Sequence, residues 1–168
     1  MPEDRKSHGF IPLLSIIRNV AITNYDTLAP AGFVNATGEK QLGAKMTEQL
    51  LIRPGDPNAQ VGTLSGGNQQ KAVLAKWLSR DLKVLIIDEP TAGIDIGAKD
   101  EIYRILAKLA ADGSAVIMVS SDLQELVRVS TRIIVMRKGK IFTEFASGQI
   151  TQDDILMAES GIKKEVQA

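Results

Sequence analysis

The spacing of apolar residues changes at about Thr63. Beyond it, apolar residues at the spacing of one helical face predict helices at 68–80 and 98–111. Two short runs that are apolar throughout, 84–87 and 115–119, predict strands covered on both faces. Strand, helix and strand of these lengths indicate a parallel crossover unit and an α/β fold.

The last part of the chain has a different pattern. Apolar runs at 133–136 and 141–145 flank a turn at 137–140, which predicts an antiparallel hairpin. A final helix is expected near 152–159.

Before Thr63, prolines and glycines interrupt the apolar pattern, which indicates short helices joined by loops. Ser15 is a candidate cap for a helix that extends through Val20, and 40–52 has apolar residues at helical spacing. We therefore predict a small helical subdomain over residues 1–63, followed by an α/β region over 64–168.

Composition narrows the class of protein. Of 168 residues, 44% are apolar and 24% are charged, with 20 basic and 20 acidic side chains. This balance gives no global basic field, so a nucleic-acid partner is not expected. The chain contains no cysteine, no apolar run near 18 residues and no signal-peptide core, so we expect a cytoplasmic protein that meets the membrane through a partner.

The segment Leu64–Lys71, Leu-Ser-Gly-Gly-Asn-Gln-Gln-Lys, predicts an anion site. Its two glycines allow a ligand close to the backbone, and a helix that starts near Asn68 presents unpaired N–H groups. Ser65 adds a hydroxyl for a phosphate oxygen. The alternative, a plain glycine-containing loop before a helix, is the more common explanation of Ser-Gly-Gly alone.

Asp88 and Glu89 end the predicted strand 84–87, so their carboxylates lie at the edge of the sheet where ligands of α/β folds collect. Asp88 is a candidate to hold Mg²⁺ through water, and Glu89 to orient or deprotonate an attacking water. A polar strand end kinked by Pro90 is the alternative.

The order of these motifs, Leu64–Lys71, then Val84–Pro90, then Thr91–Asp95, resembles the ATP-binding domain of ABC transporters. The chain opening Pro2–Lys6, the Asn-Gln-Gln-Lys sequence and the run Asp95–Lys99 are similar to the carbohydrate-importing subfamily of ribose, galactose and xylose type. In that subfamily the ATP-binding subunit is a tandem of two such domains. The resemblance covers nearly the whole chain and implies the later part of the second domain, with a partial P-loop NTPase fold of ABC type.

The resemblance also implies site residues and ligands. The cofactors are ATP and Mg²⁺, with Asp88 at the metal and Glu89 as the catalytic residue. A signature loop contacts ATP held by an opposing domain, and its residues here are Ser65, Gly66, Gly67 and Gln69. Implied partners are a second nucleotide-binding domain, transmembrane permease subunits and, indirectly, a periplasmic or extracellular sugar-binding protein, which places the chain at the inner face of the membrane.

Two features depart from the family pattern. No G-x-x-x-x-G-K-[ST] phosphate loop occurs in the 168 residues, and the resemblance places that loop before Met1. We therefore expect the chain alone neither to bind nor to hydrolyse ATP appreciably. Ser121 stands where the family has a switch histidine, and Ser121 with Gln124 also matches a capping box.

Two further segments have both a family role and a simpler explanation. Asp95 resembles the loop that crosses between paired domains, but it also suits a helix N-cap. Glu3, Asp4 and Arg5 fall where the family has a segment that couples the nucleotide to the helical subdomain, although an exposed charged terminus explains them equally.

The predicted function is therefore the ATP-binding and ATP-hydrolysing component of an ABC-type monosaccharide importer. A non-catalytic interaction module that donates its signature loop to an intact ATPase is the alternative. ABC-type ATPases of DNA repair or translation form a third class, which the neutral charge and the segment Pro2–Lys6 disfavour.

Overall fold

The computed structural model describes residues 1, 4–146 and 150–162. Glu3, part of the predicted coupling segment, lies outside the described residues. The chain is divided into two compact units, Met1–Val119 and Ser120–Ala168. The predicted boundary at residue 63 remains a prediction, and residues on both sides of it share the core of the first unit.

Among the described residues of the first unit, five helices are α-helical and two segments are strands. They are α1 (Ile16–Ala21), α2 (Tyr25–Leu28), α3 (Ala36–Gln49), α4 (Gly66–Leu78), β1 (Val84–Asp88), α5 (Ile96–Ala111) and β2 (Ala115–Val119). A π-helical turn (Arg5–Gly9) and three 3₁₀ turns (Ile22–Asn24, Pro30–Gly32, Val61–Thr63) complete it.

Capping side chains set the helix starts before residue 63. The hydroxyl of Ser15 accepts a hydrogen bond from the Arg18 amide, which confirms the predicted cap of α1. The helix predicted at 40–52 instead spans Ala36–Gln49, because the Asn35 side chain accepts a bond from the Gly38 amide. It ends before Leu51, whose φ of 50° is not helical.

The core of the first unit is centred on α4, whose residues Ala72–Ala75 are all buried. Around it pack apolar residues of α1, α3, the 3₁₀ turn at 61–63, β1 and α5; among them Ile16, Val61, Ile87 and Ile102 are fully enclosed. Asn19 is one of several buried polar residues of this unit, at 1% exposure. Its side-chain oxygen accepts a bond from the Ile11 amide, and its two N–H protons are shared among three carbonyls at 3.1 Å, so both ends of this buried amide have partners.

The sheet of the first unit confirms the predicted crossover. Strands β1 and β2 pair in parallel, from Val84 opposite Ala115 to Asp88 opposite Val119, and α5 connects them. The prediction that β1 is covered on both faces was wrong for the described residues. Leu85 and Ile87 are buried in the core, whereas Val84 and Ile86 alternate with them and are more than half exposed, because α4 and α5 pack against one face.

The second unit contains α6 (Leu123–Val129), β3 (Arg132–Arg137), β4 (Lys140–Ala146) and α7 (Gln152–Ser160). Strands β3 and β4 pair antiparallel, as predicted, and α7, the predicted final helix, packs on β3. The predicted capping box at Ser121 was wrong. Asp122 caps α6 by accepting bonds from the amides of Gln124 and Glu125, because a carboxylate one residue nearer the helix reaches both.

No helix in the described ranges 1, 4–146 and 150–162 is long and apolar enough to cross a membrane.

Candidate functional site

The signature loop forms the start of α4. The helix begins at Gly66, two residues before the predicted start, so both glycines lie in its first turn. Ser65 is the exposed N-cap residue, but its hydroxyl accepts no bond from the first-turn amides. It accepts a bond of 2.9 Å from the side-chain amide of Asn68 instead.

The two glycines allow close contact with neighbouring segments. A Cβ atom built on Gly67 would lie 2.5 Å from the Cβ of Ala98, below the separation that side chains tolerate. A Cβ on Gly66 would lie 3.2 Å from the Gly93 carbonyl and 3.0 Å from the Arg5 guanidinium. The first turns of α4 and α5 are therefore packed side by side, and glycine is required at residue 67.

A cleft of about 290 Å³ lies at these two helix starts. It brings together Ser65, Gly67 and Asp95, three of the predicted site residues. The Asp95 carboxylate caps α5 by accepting a bond of 2.9 Å from the Ala98 amide, which confirms the N-cap explanation of this residue. The remaining lining residues are Arg53, Asn68, Lys71, Gly97, Ala98 and Glu101.

Lys71, at the end of the signature sequence, is 2% exposed and ionically paired. Its ammonium group lies 2.5 Å from the Glu101 carboxylate and 2.9 Å from the Leu51 carbonyl. The pair joins α4 to α5 and to the segment after α3 beneath the cleft. Sequence reasoning missed this pair, because its members are 30 residues apart and no local pattern links them.

Gln69 lies away from the cleft. It is 7% exposed, and its side-chain amide donates to the Gly62 carbonyl at 3.4 Å. This placement does not support the predicted contact of Gln69 with a partner's nucleotide. Asn68, which sequence reasoning did not single out, lines the cleft instead.

Asp88 is the last residue of β1, and the chain turns sharply after it. Glu89 adopts a φ of 44°, a left-handed conformation that is uncommon for a residue with a side chain. Its amide donates to the Val119 carbonyl at 2.9 Å, which extends the pairing of β1 with β2 by one bond. Both carboxylate residues are half-buried at the carboxyl end of the sheet, as predicted.

The loop 90–94 leads from these carboxylates to the signature loop. Thr91 in this loop is buried, and the Gly93 carbonyl faces Gly66. The Arg5 guanidinium donates to the carbonyls of Ala92 at 2.6 Å and Gly93 at 3.4 Å. The predicted coupling segment therefore contacts this loop directly, and the sequence held no local signal of that contact.

Asp4 organises the turn that presents Arg5. Its carboxylate accepts bonds from the amides of Lys6 and Ser7 and a 2.6 Å bond from the Ser7 hydroxyl. The Ser7 hydroxyl is the main cause of a lowered pKa of Asp4, so this carboxylate is charged at neutral pH.

Ser121 belongs to the second unit and is not a cleft residue. Its neighbour Ser120 donates a 2.6 Å hydrogen bond to the Glu125 carboxylate.

Within the described residues, no group of three or more histidines, cysteines or acidic residues is placed to hold a metal ion. Mg²⁺ bound to a nucleotide is held mainly by phosphate oxygens and water, with one or two carboxylates. The single carboxylate of Asp88 at the end of β1 fits that donor set.

Residues 12–92 match the family model described as ABC transporter. This segment is an ABC transporter domain. The match covers α1 to α4, the signature loop, β1 and the carboxylates at its end.

Curated relatives extend the likeness of the ABC transporter domain to nearly the whole chain. The ribose import ATP-binding protein RbsA 2 of Rubrobacter xylanophilus is 44% identical over 97% of this chain and 31% of its own length. RbsA of Shouchella clausii is 43% identical over 99% of this chain and 33% of its own length. The xylose import ATP-binding protein XylG of Thermoanaerobacter pseudethanolicus is 44% identical over 97% of this chain and 32% of its own length. The chain thus spans about a third of these relatives.

Solved structures confirm the fold. A dimeric bacterial ABC transporter cassette matches with a TM-score of 0.70 at 24% identity, over 86% of this chain and 62% of that one. Another ATP-binding cassette of an ABC transporter matches with a TM-score of 0.69 at 19% identity, over 95% of this chain and 62% of that one. The chain has the P-loop NTPase fold of ABC cassettes, as the sequence resemblance implied.

Proposed function

We propose that this chain is part of the ATP-hydrolysing component of an ABC-type sugar importer. The observation that carries the proposal is the loop 90–94, which starts beside Asp88 and Glu89 and places the Gly93 carbonyl against Gly66. One short segment thus joins the carboxylates of a phosphoryl-transfer site to an anion-binding helix start. Relatives named for ribose and xylose import supply the substrate class.

The signature loop supports binding of a partner's nucleotide. The first-turn amides of α4 have no acceptor within their helix, and the Ser65 hydroxyl lies among the cleft residues. Amides at a helix start favour phosphate oxygens. Ser65, Gly66 and Gly67 would therefore contact ATP that is held by the phosphate loop of an opposing domain.

The carboxylates would serve a second nucleotide, bound by the domain to which this chain belongs. Mg²⁺, if bound there, would supply neutralisation of the negative charge on the phosphates during phosphoryl transfer. Asp88 would hold it through water, and Glu89 would accept a proton from the water that attacks the γ-phosphate. Asp95 would lie where paired domains meet, and Ser121 would occupy the position of the switch histidine.

The proposal includes partners and location. A second nucleotide-binding domain would complete each ATP site, and transmembrane permease subunits would hold the assembly at the inner face of the membrane. A sugar-binding protein outside the membrane would act through the permease. No phosphate-loop sequence occurs in the 168 residues, so we expect ATP turnover only beside a domain that has one.

The test mixes the chain with RbsA of Shouchella clausii and measures phosphate release. The wild-type chain is expected to raise turnover above that of RbsA alone, because its signature loop would contact ATP held by RbsA, and Ser65→Ala is expected to remove most of the increase. Loss of stimulation in Glu89→Gln as well would show that this carboxylate acts in a site completed by RbsA. Stimulation that is unchanged by Glu89→Gln but lost with Ser65→Ala would favour the non-catalytic module. Glu89-dependent turnover by the chain alone would refute the need for an added phosphate loop, and no stimulation by any form would refute the proposal.

A further inference from the structure

The Asn68 side chain bridges two groups at the cleft. Its carbonyl oxygen accepts a 2.9 Å bond from the Arg53 backbone amide, and its NH₂ group donates a 2.9 Å bond to the Ser65 hydroxyl. A backbone amide can only donate, so this bond fixes which end of Asn68 faces Arg53. The NH₂ end must then face Ser65, where the hydroxyl oxygen can only accept.

This bond determines what the Ser65 hydroxyl can do. A hydroxyl has one proton and two acceptor lone pairs; one lone pair of Ser65 accepts from the Asn68 NH₂ group, so the proton must point away from that group to another acceptor. In most helices a serine at this position accepts a bond from a first-turn amide. Ser15 does so at α1, whereas Ser65 does not at α4.

The first-turn amides of α4 therefore keep their donor capacity. Within the described part of the chain, the amides of Gly66, Gly67 and Asn68 make no backbone hydrogen bond outside the helix, and a helix offers them no internal acceptor. The Ser65 proton and these amides are donors at the same helix start. Their combined ligand is an anionic oxygen.

We propose that Asn68 is a positioning residue, which prevents Ser65 from capping α4 and turns its hydroxyl into a donor for a phosphate oxygen of a partner-held nucleotide. The inference rests on the proposed function for its ligand, but the orientation of Ser65 is independent of it. Asn68 itself need not touch the nucleotide.

Amide hydrogen exchange of the full chain, measured by NMR, tests the orientation without a nucleotide. In Asn68→Ala the Ser65 hydroxyl is released and caps the helix, so exchange at Gly67 or residue 68 is expected to slow by about fivefold, the equivalent of one cap. The double variant Ser65→Ala/Asn68→Ala is expected to return to fast exchange. Unchanged exchange in Asn68→Ala would overturn the proposal.

Stimulation of RbsA turnover, measured against ATP concentration, tests the ligand. Asn68→Ala and Ser65→Ala are each expected to raise the half-maximal ATP concentration by about tenfold, since a hydrogen bond to a charged group is lost. Because Asn68 acts through Ser65, the double variant is expected to match Ser65→Ala. A double variant in which the two losses add would overturn the proposal.

Two further variants separate positioning from general damage. Asn68→Asp has nearly the same shape and still accepts from the Arg53 amide, but its carboxylate also accepts a hydrogen bond from the Ser65 hydroxyl. It is therefore expected to raise the half-maximal ATP concentration at least as much as Asn68→Ala. Asn58→Ala is the matched control, because Asn58 is exposed and bonds to Asp56 outside the cleft. If the wild-type chain gives no stimulation, the proposed function fails, and hydrogen exchange still decides the orientation of Ser65.

Discussion

The contact between α4 and α5 at Gly67 gives a prediction in which the space for one methyl group decides whether a glycine-to-alanine change stabilises or destabilises the protein. In Gly67→Ala the new Cβ would lie 2.5 Å from the Ala98 Cβ, whereas ordinary contacts begin at 3.4 Å. Neither methyl group can rotate away, so the two helices must separate by about 0.9 Å, the difference between those distances. Overpacking of this kind costs about 1–3 kcal/mol.

A matched control is available at Gly97. Both glycines are the second residue of their helices, but the nearest atom to a Cβ on Gly97 is the Asp95 carboxylate at 3.5 Å, an ordinary contact. Alanine is favoured over glycine in helices by up to about 1 kcal/mol. We therefore expect Gly97→Ala to stabilise by about 0.5 kcal/mol and Gly67→Ala to destabilise by about 1–2 kcal/mol.

Urea unfolding followed by tryptophan fluorescence measures this difference. The single tryptophan, Trp77, lies in α4 and reports on the first unit. The double variant Gly67→Ala/Ala98→Gly exchanges the methyl group between helices and is expected to recover most of the loss. If Gly67→Ala is as stable as Gly97→Ala, the close approach of α4 and α5 is refuted.

Three other predictions concern groups that hold the first unit together. Asn19→Ala leaves the buried partners of its side chain without bonds, so it is expected to lose about 3 kcal/mol in urea unfolding; a loss below 1 kcal/mol would contradict this accounting. Asp26 accepts two 2.8 Å bonds from Arg80, which lower the pKa of Asp26. Stabilisation by this pair is present above the ordinary pKa of 3.8 and is lost as pH falls through the lowered pKa. The free energy of unfolding of Asp26→Asn is therefore expected to be lower than that of the wild type near pH 6 and to converge with it in acid. Glu101→Gln leaves the Lys71 ammonium without its counter-ion and is expected to cost about 2 kcal/mol, less than a fully buried pair because Glu101 is partly exposed; Lys71→Met in the same chain is expected to restore part of the loss.

Local patterns in the sequence predicted the parts of the fold that depend on local order. The apolar runs at 84–87 and 115–119 identified β1 and β2, and the intervening helix required them to be parallel. The runs around 137–140 identified the hairpin. Each element needs only its own residues to be recognised, because its period and its turn are encoded within a few positions.

Contacts between distant segments explain the errors. Glycine is a poor helix former, so the pattern placed the start of α4 near Asn68, but packing of Gly67 against Ala98 favours a helix from Gly66. The contact of Arg5 with the Ala92 carbonyl spans 87 positions, and no local pattern encodes it. Likewise, the exposed face of β1 follows from where helices pack, not from the apolar run itself.

The same distant contacts hold the signature loop rigidly and make part of the loop 90–94 dependent on Arg5. The signature loop begins a helix whose following residues, Ala72–Ala75, are fully enclosed in the core, so the loop cannot shift without disturbing that packing. The loop 90–94 is buried at Pro90 and Thr91 but exposed at Ala92 and Gly93. It is fixed by Arg5 through two carbonyls and packs against Gly66 through one of them. A displacement of Arg5 would therefore free Ala92 and Gly93, the exposed part of the loop, before it moved α4.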